Sequence, residues 1–114
     1  MLLARAGFEA VATTSAGIGY TAGYPVGEIM PLGEMIEAIE RITRRLRLPL
    51  SVDMESGYGT APDAVARTVS RVIGAGAVGI NIEDSIHDGS KRLFDFSLAV
   101  ERIDAGAVLL RHSG

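Results

Sequence analysis

The sequence predicts an α/β fold built from about three to four parallel βα units. Strand-like segments begin near residues 10, 50 and 78, with a weaker one at 107–110, and helical patterns lie between them. Single strands that alternate with single helices are typical of parallel sheets, because each strand needs a crossover to return in the same direction. The 114 residues have room for one domain, and 47% of them are apolar, which is enough to form a core.

The first unit runs to about residue 47. Gly7 closes a short helical pattern, Pro31 stands at a helix start, and apolar residues then recur at helical spacing. The predicted elements are a helix end at 1–9, a strand at 10–15, a glycine-containing loop at 16–30 and a helix at 31–47.

The following units repeat this order. Pro49 ends the first long helix, and the glycines at 57 and 59 mark a turn after the second strand. The predicted elements are strands at 50–55 and 78–83, helices at 62–73 and 96–103, a polar loop at 85–92 and a last strand at 107–110.

The composition excludes several classes of function. The formal charge is -3, so the chain has no general basic field for a nucleic-acid backbone. The absence of cysteine excludes disulfides, zinc–thiolate sites and a cysteine nucleophile. No segment approaches the roughly 20 apolar residues of a membrane span. We therefore expect a cytoplasmic protein that binds neither nucleic acid nor membrane.

Three carboxylates are predicted to converge at the ends of two strands. Side chains alternate across a strand, so Asp53 and Glu55 share one face of the second strand, and Glu83 lies on the matching face of the third. In a βα barrel that face points inward, with its last residues at the C-terminal mouth. A cation would relieve the repulsion among the carboxylates, and oxygen ligands suit Mg²⁺. The alternative is that they are solvated acids or helix N-caps.

Other polar candidates carry weaker signals. Ser15, Ala16 and Gly17 follow the first strand, where they form either an anion site built from backbone N–H groups or a plain turn. His87 and His112 lie in polar or terminal segments, which is typical of surface histidines rather than catalytic ones.

Several blocks of the sequence occur in a characteristic order. They are G-F-E-A at 7–10, T-T-S-A-G at 13–17, G-Y-P at 23–25, V-D-M-E-S-G-Y-G at 52–59 and G-A-V-G-I-N-I-E-D at 76–84. Over residues 2–103 the chain resembles the isocitrate lyase/phosphoenolpyruvate mutase superfamily. The resemblance implies part of a (βα)8 TIM barrel, dependence on Mg²⁺, and small anionic 2-oxo acids or phosphonates as substrates.

The resemblance also implies roles for single residues. Asp53 looks like the direct Mg²⁺ ligand, and Glu55 and Glu83 look like partners of the water molecules around the ion. The ion would neutralise an enolate or oxyanion. The residues assigned to substrate binding are Ser15, Ala16, Gly17 and Asn81.

The sequence departs from the family in three respects. Val26 stands where the G-Y-P-D-G motif has an aspartate that supports the metal's water shell. The segment after Asp84 lacks the lysine- and cysteine-containing loop of the family's lyases, which argues against cleavage of the isocitrate or methylisocitrate type. The chain is also shorter than the ~250 residues of a full barrel. We expect a single partial barrel domain over 1–114, with residues 1–103 family-like and 104–114 divergent.

Two functions remain open from the sequence. The first is an Mg²⁺-dependent enzyme that acts on C–C or P–C bonds of small acids, which the retained Asp53, Glu55 and Glu83 favour. The second is an inactive fragment that serves as a self-associating module, which Val26 favours. We expect a homo-oligomer in either case, because open sheet edges and uncovered apolar faces promote association.

Overall fold

A computed structural model describes residues 2–25 and 27–112. The alternation of strands and helices confirms the predicted α/β class. In chain order, the elements are α1 (Leu2–Arg5), β1 (Val11–Ala12), α2 (Ser15–Thr21), α3 (Leu32–Thr43), β2 (Leu50–Asp53), α4 (Pro62–Gly74), β3 (Gly79–Asn81) and α5 (Phe96–His112).

The described strands form one parallel sheet in the order β1-β2-β3. Val11 pairs with Leu50, and Asp53 pairs with Asn81. The parallel direction confirms the predicted parallel βα units. The strands are shorter than the predicted spans 10–15, 50–55 and 78–83, and Ser15, the last residue of the first predicted strand, begins α2 instead. Because the strands are parallel, their C-terminal ends lie at the same end of the sheet. The segments that follow the strands begin there, and α/β proteins have their sites at this end.

The core lies on one face of β2. Leu50, Val52 and Met54 are buried there and pack against Met35 and Ile39 of α3. The apolar face of the second strand therefore meets the helices. The opposite face carries Asp53, which is the last residue of β2.

The third strand is only partly covered by helices, as the expectation of uncovered apolar faces implies. Val78 is 65% exposed, and Ile80 and Ile82 are only partly buried. β3 lies at the edge of the described sheet, so its apolar side chains have fewer neighbours than those of the central strand.

The predicted loop at 16–30 is wrong at its beginning, where α2 forms instead. Glycines at 17 and 19 lower the helix propensity of this segment, which is why the sequence favours a loop. The side chain of Thr14 compensates as an N-cap, because its Oγ1 accepts a hydrogen bond from Gly17 N at 2.9 Å.

The predicted strand at 107–110 is also wrong, because these residues belong to α5. A short apolar run fits a strand or a buried helix segment equally well, and periodicity alone does not separate them. The predicted boundary between residues 1–103 and 104–114 stays a prediction, and it falls inside this continuous helix. No helix in the described part of the chain is long and apolar enough to cross a membrane.

Candidate functional site

Asp53 ends the central strand and accepts hydrogen bonds at both carboxylate oxygens. Its Oδ2 accepts from Ser15 N at 3.0 Å and from Ser15 Oγ at 2.8 Å. Its Oδ1 accepts from Glu55 N at 3.1 Å. The first residue of α2 and the residue after the strand end therefore fix the carboxylate together.

These contacts keep Asp53 charged. Burial alone raises the pKa of this carboxyl, but the hydrogen bonds from Ser15 and from Glu55 N, together with the nearby His87, lower it further than burial raises it. The net pKa of Asp53 lies below its ordinary value.

Glu55 turns its buried side chain towards two other segments. Its backbone is left-handed, with a φ of 51°, and its Oε2 accepts a hydrogen bond from Glu28 N. The same Oε2 lies 3.8 Å from His87 Nε2. Glu55 thereby connects the end of β2 to the loop that follows β3.

Glu83 lies near the same nitrogen of His87. Its Oε2 lies 3.3 Å from His87 Nε2 and accepts a hydrogen bond from Ser85 Oγ at 2.6 Å. His87, which the sequence analysis treats as a surface residue, thus contacts two of the predicted metal-site carboxylates. The feature of the sequence that indicates this contact is the position of His87 four residues after Glu83.

Glu28 is a site residue that the sequence analysis missed. Its Oε1 accepts hydrogen bonds from Ser56 Oγ at 2.6 Å and from Tyr58 N at 3.0 Å. Glu28 itself has a left-handed backbone, with a φ of 56°. A lone glutamate in a glycine-containing loop gives no periodic signal, so only the folded chain reveals these contacts.

The hydroxyl of Tyr58 is buried and has no hydrogen-bond partner in the part of the chain that the structure describes. Burial, and then the charges of Glu55, Glu28 and Asp53, raise the pKa of Tyr58 to about 12. The phenol therefore stays protonated and is a hydrogen-bond donor available to a water molecule or ligand among the carboxylates.

The predicted substrate-binding residues lie around the same strand ends. Ser15 N already donates to Asp53, and Gly17 N already donates to Thr14, so two of the proposed backbone donors are engaged within the chain. Ala16 lies between them in α2, and Asn81 pairs with Asp53 across the sheet. Their roles towards a substrate stay predictions.

The side chains of this site suit a cation that keeps its water molecules better than one held by several protein ligands. Among residues 2–25 and 27–112, no group of three or more His, Asp and Glu side chains is arranged to hold a metal ion. Mg²⁺, however, usually keeps several water molecules and takes only one or two protein carboxylates. The charged Asp53 and the unpartnered Tyr58 hydroxyl fit such an ion. The departure at Val26 lies outside the described residues.

A cleft of 540 Å³ opens beside His87, between the segment at 27–29 and the loop after β3. It is mainly apolar and carries one lysine. The lining residues are Gly27, Ile29, Ser85, Ile86, His87, Gly89 and Lys91.

Comparisons with known proteins give consistent results. The sequence profile of the phosphoenolpyruvate phosphomutase family matches residues 1–114. The 2-methylisocitrate lyase of Escherichia coli (strain K12) is 40% identical over 93 residues, which cover 81% of this chain and 31% of that protein. A provisionally assigned phosphonomutase from Burkholderia cenocepacia J2315 superposes with a TM-score of 0.92 at 42% identity, covering 99% of this chain and 46% of that one.

The same fold occurs in a phosphonopyruvate hydrolase whose crystal structure holds oxalate and Mg²⁺. The TM-score is 0.80 at 24% identity, and the match covers 94% of this chain and 38% of that one. The chain therefore spans less than half the length of each of these proteins.

Proposed function

Because the chain belongs to the phosphoenolpyruvate phosphomutase family, within the isocitrate lyase/phosphoenolpyruvate mutase superfamily, we propose that it is part of an Mg²⁺-dependent enzyme. The proposed reaction acts on C–C or P–C bonds of small anionic 2-oxo acids or phosphonates, through an enolate or oxyanion. The chain spans 31% of the length of one relative, so the activity of a whole enzyme is part of this proposal.

The observation that carries this proposal is the ionised Asp53 at the end of the central strand. Ser15 and Glu55 N hold its carboxylate in a fixed orientation, and its pKa is lowered. We propose Asp53 as the direct ligand of Mg²⁺, with Glu55 and Glu83 holding water molecules around the ion. Bound there, Mg²⁺ would stabilise negative charge that develops on an enolate or oxyanion.

The remaining residues of the site have separate proposed tasks. Tyr58 stays protonated and donates a hydrogen bond to a water molecule or a ligand oxygen among the carboxylates. Lys91 lines the adjoining cleft, where its charge attracts a small acid. We propose that Ser15, Ala16, Gly17 and Asn81 line the substrate side.

The names of the similar proteins agree with the proposed substrate class. One is a 2-methylisocitrate lyase, and the phosphonopyruvate hydrolase of the same fold was crystallised with oxalate. Cleavage of the methylisocitrate type is outside this proposal, because the segment after Asp84 lacks the lysine- and cysteine-containing loop of the family's lyases. The cytoplasmic location predicted from the sequence belongs to the same proposal.

Calorimetric titration with Mg²⁺, with and without oxalate as an enolate mimic, tests the proposal. We expect Mg²⁺ to bind the unaltered chain, oxalate to strengthen that binding, and Asp53→Asn to abolish it. Asp63→Asn is a matched control, because Asp63 is exposed on α4 and pairs with Arg67. We also expect His87→Ala to retain Mg²⁺ binding. Equal Mg²⁺ affinity in Asp53→Asn and Asp63→Asn would refute the assignment.

The second candidate function is a self-associating module without catalytic activity. The observation in its favour is the large apolar surface on α5, where Phe96 is 83% exposed. If the unaltered chain binds neither Mg²⁺ nor oxalate and forms a defined oligomer, these results support this candidate over the enzyme.

A further inference from the structure

Arg102 of α5 is a buried cation that the proposed chemistry does not use. Its side chain is 1% exposed, and its guanidinium donates to three backbone carbonyls of one short loop. Nε donates to Thr60 O at 3.0 Å, and Nη2 donates to Gly59 O at 3.0 Å and to Ser56 O. A planar guanidinium matches several fixed acceptors at once, whereas an ammonium group acts as a point charge.

The burial of Arg102 is costly and is only partly compensated. Loss of water around the guanidinium lowers its pKa, and the charge of Glu28 opposes that shift. Within the described residues, no carboxylate lies at ion-pair distance from Arg102. The ring of Phe94 lies 3.8 Å from the guanidinium carbon, measured to the ring centroid, and supplies a cation–π contact.

The loop that Arg102 holds has an unusual backbone. Glu55, Gly57 and Tyr58 all have left-handed φ angles, of 51°, 90° and 57°. Such angles are unfavourable for residues other than glycine and persist only where the surroundings enforce them.

Two side chains hold this loop, one by accepting hydrogen bonds from it and the other by donating hydrogen bonds to it. The Glu28 carboxylate accepts hydrogen bonds from Ser56 Oγ and Tyr58 N. Arg102 donates to loop carbonyls on either side of Tyr58. Together the two side chains therefore hold both donors and acceptors of residues 56–60.

We propose that Arg102 is a positioning residue for the site. By holding residues 56–60, it keeps Glu55 in the left-handed conformation that directs its carboxylate to Glu28 N and His87. The consequence for Mg²⁺ binding rests on the proposed function, whereas the effect on the loop does not.

Amide hydrogen exchange, followed by NMR, tests the effect on the loop. Arg102→Met keeps the apolar stem but removes the donors, and Arg111→Met is the matched control because Arg111 is an exposed residue of the same helix. We expect exchange at Gly57 N and Tyr58 N to accelerate at least about tenfold in Arg102→Met, since bonds to a charged group are lost. The amides of Val69 and Val72 in α4 should change much less.

Two results would overturn the proposal. One is unchanged exchange at Gly57 and Tyr58, and the other is equal acceleration at the loop and at α4, which would indicate a role in global stability alone. If Arg102→Met does not fold, Arg102→Lys decides by the same comparison, because a lysine keeps the charge but cannot bridge the same carbonyls.

An Mg²⁺ titration of the same variants separates this proposal from the proposed function. We expect Arg102→Met to weaken Mg²⁺ binding about tenfold or more, with Arg111→Met unchanged. If the unaltered chain binds no Mg²⁺, the proposed function fails while the exchange result still decides the role of Arg102. If Arg102→Met binds Mg²⁺ as tightly as Arg111→Met does, the positioning of Glu55 is refuted.

Discussion

At the scale of single residues, the charge of Asp53 depends on Ser15. Ser15 offers its backbone N and its Oγ to one carboxylate oxygen, and these bonds favour the ionised form. The pKa of Asp53 therefore lies lower in the folded chain than in the unfolded chain, where it is about 3.9. The carboxylate stabilises the fold above that pH, and the contribution is lost as the pH falls through the folded pKa.

Ser15→Ala should raise the pKa of Asp53 and lower the stability at neutral pH. We expect a loss of about 1 kcal/mol at pH 7, since one side-chain hydrogen bond to the carboxylate is removed. The difference in the free energy of unfolding between Ser15→Ala and the unaltered chain should narrow as the pH falls and Asp53 becomes protonated. Urea unfolding at a series of pH values measures the stability, and ¹³C NMR titration of the carboxyl measures the pKa.

Ser70→Ala is the control for this prediction, because Ser70 is an exposed residue of α4. The role assigned to Ser15 would be wrong if both variants showed the same pKa for Asp53 and the same pH dependence of stability.

At the scale of elements, α4 and α5 approach each other through Gly106. A Cβ built at Gly106 would lie 3.0 Å from Cγ2 of Val69. At that distance the side chain of Val69 must give by a few tenths of an ångström to admit a Cβ, and a larger side chain needs more room. The close approach also brings α5 near enough for Arg102 to reach the loop after β2.

Gly106→Val should therefore push the two helices apart. We expect the free energy of unfolding to fall by about 1–3 kcal/mol, the usual cost of overpacking. Gly74→Val is the matched control, because a Cβ at Gly74 meets nothing within 4 Å. Adding Val69→Ala should recover part of the loss in Gly106→Val. Equal unfolding midpoints in urea for the two single variants would contradict this packing.

At the scale of the whole molecule, the chain exposes an apolar stripe on α5. Phe96, Val100 and Ile103 recur at helical spacing and are all exposed. Val78 adds exposed apolar surface beside β3, which lies at the edge of the described sheet. Exposed apolar stripes mark interaction sites, and open strand edges pair with other chains.

The 114-residue chain should therefore self-associate at micromolar concentration. Sedimentation velocity should show species larger than 12.0 kDa, and Phe96→Glu should shift the distribution towards monomer. Tyr20→Glu is the control, because Tyr20 is 65% exposed on α2. A folded species of monomer mass for the unaltered chain would refute this prediction.

The sequence by itself determined the elements whose signals are local. The apolar spacing of α3 and α4 and the alternation in β2 follow from the periods of helices and strands. The parallel direction of the strands follows from their alternation with single helices. Asp53, Glu55 and Glu83 were predicted as site residues for the same reason, since each lies at or just beyond a strand end. The sequence blocks also identified the superfamily.

Tertiary structure decided the elements whose local signals conflict. α2 forms despite its glycines because Thr14 caps it and Asp53 holds its first residue. Residues 107–110 join α5 because a four-residue apolar run has no preferred period, and packing against α4 decides.

Tertiary structure alone also supplied the groups that support the site. Glu28 lies 28 residues from Ser56, and Arg102 lies 46 residues from it, yet both bind the loop after β2. Neither carries a local signal, because a glutamate in a loop and an arginine in a helix are ordinary surface residues. Their roles arise when the parallel sheet and the close approach of α4 and α5 bring distant segments to one strand end, where backbone N–H and C=O groups require partners.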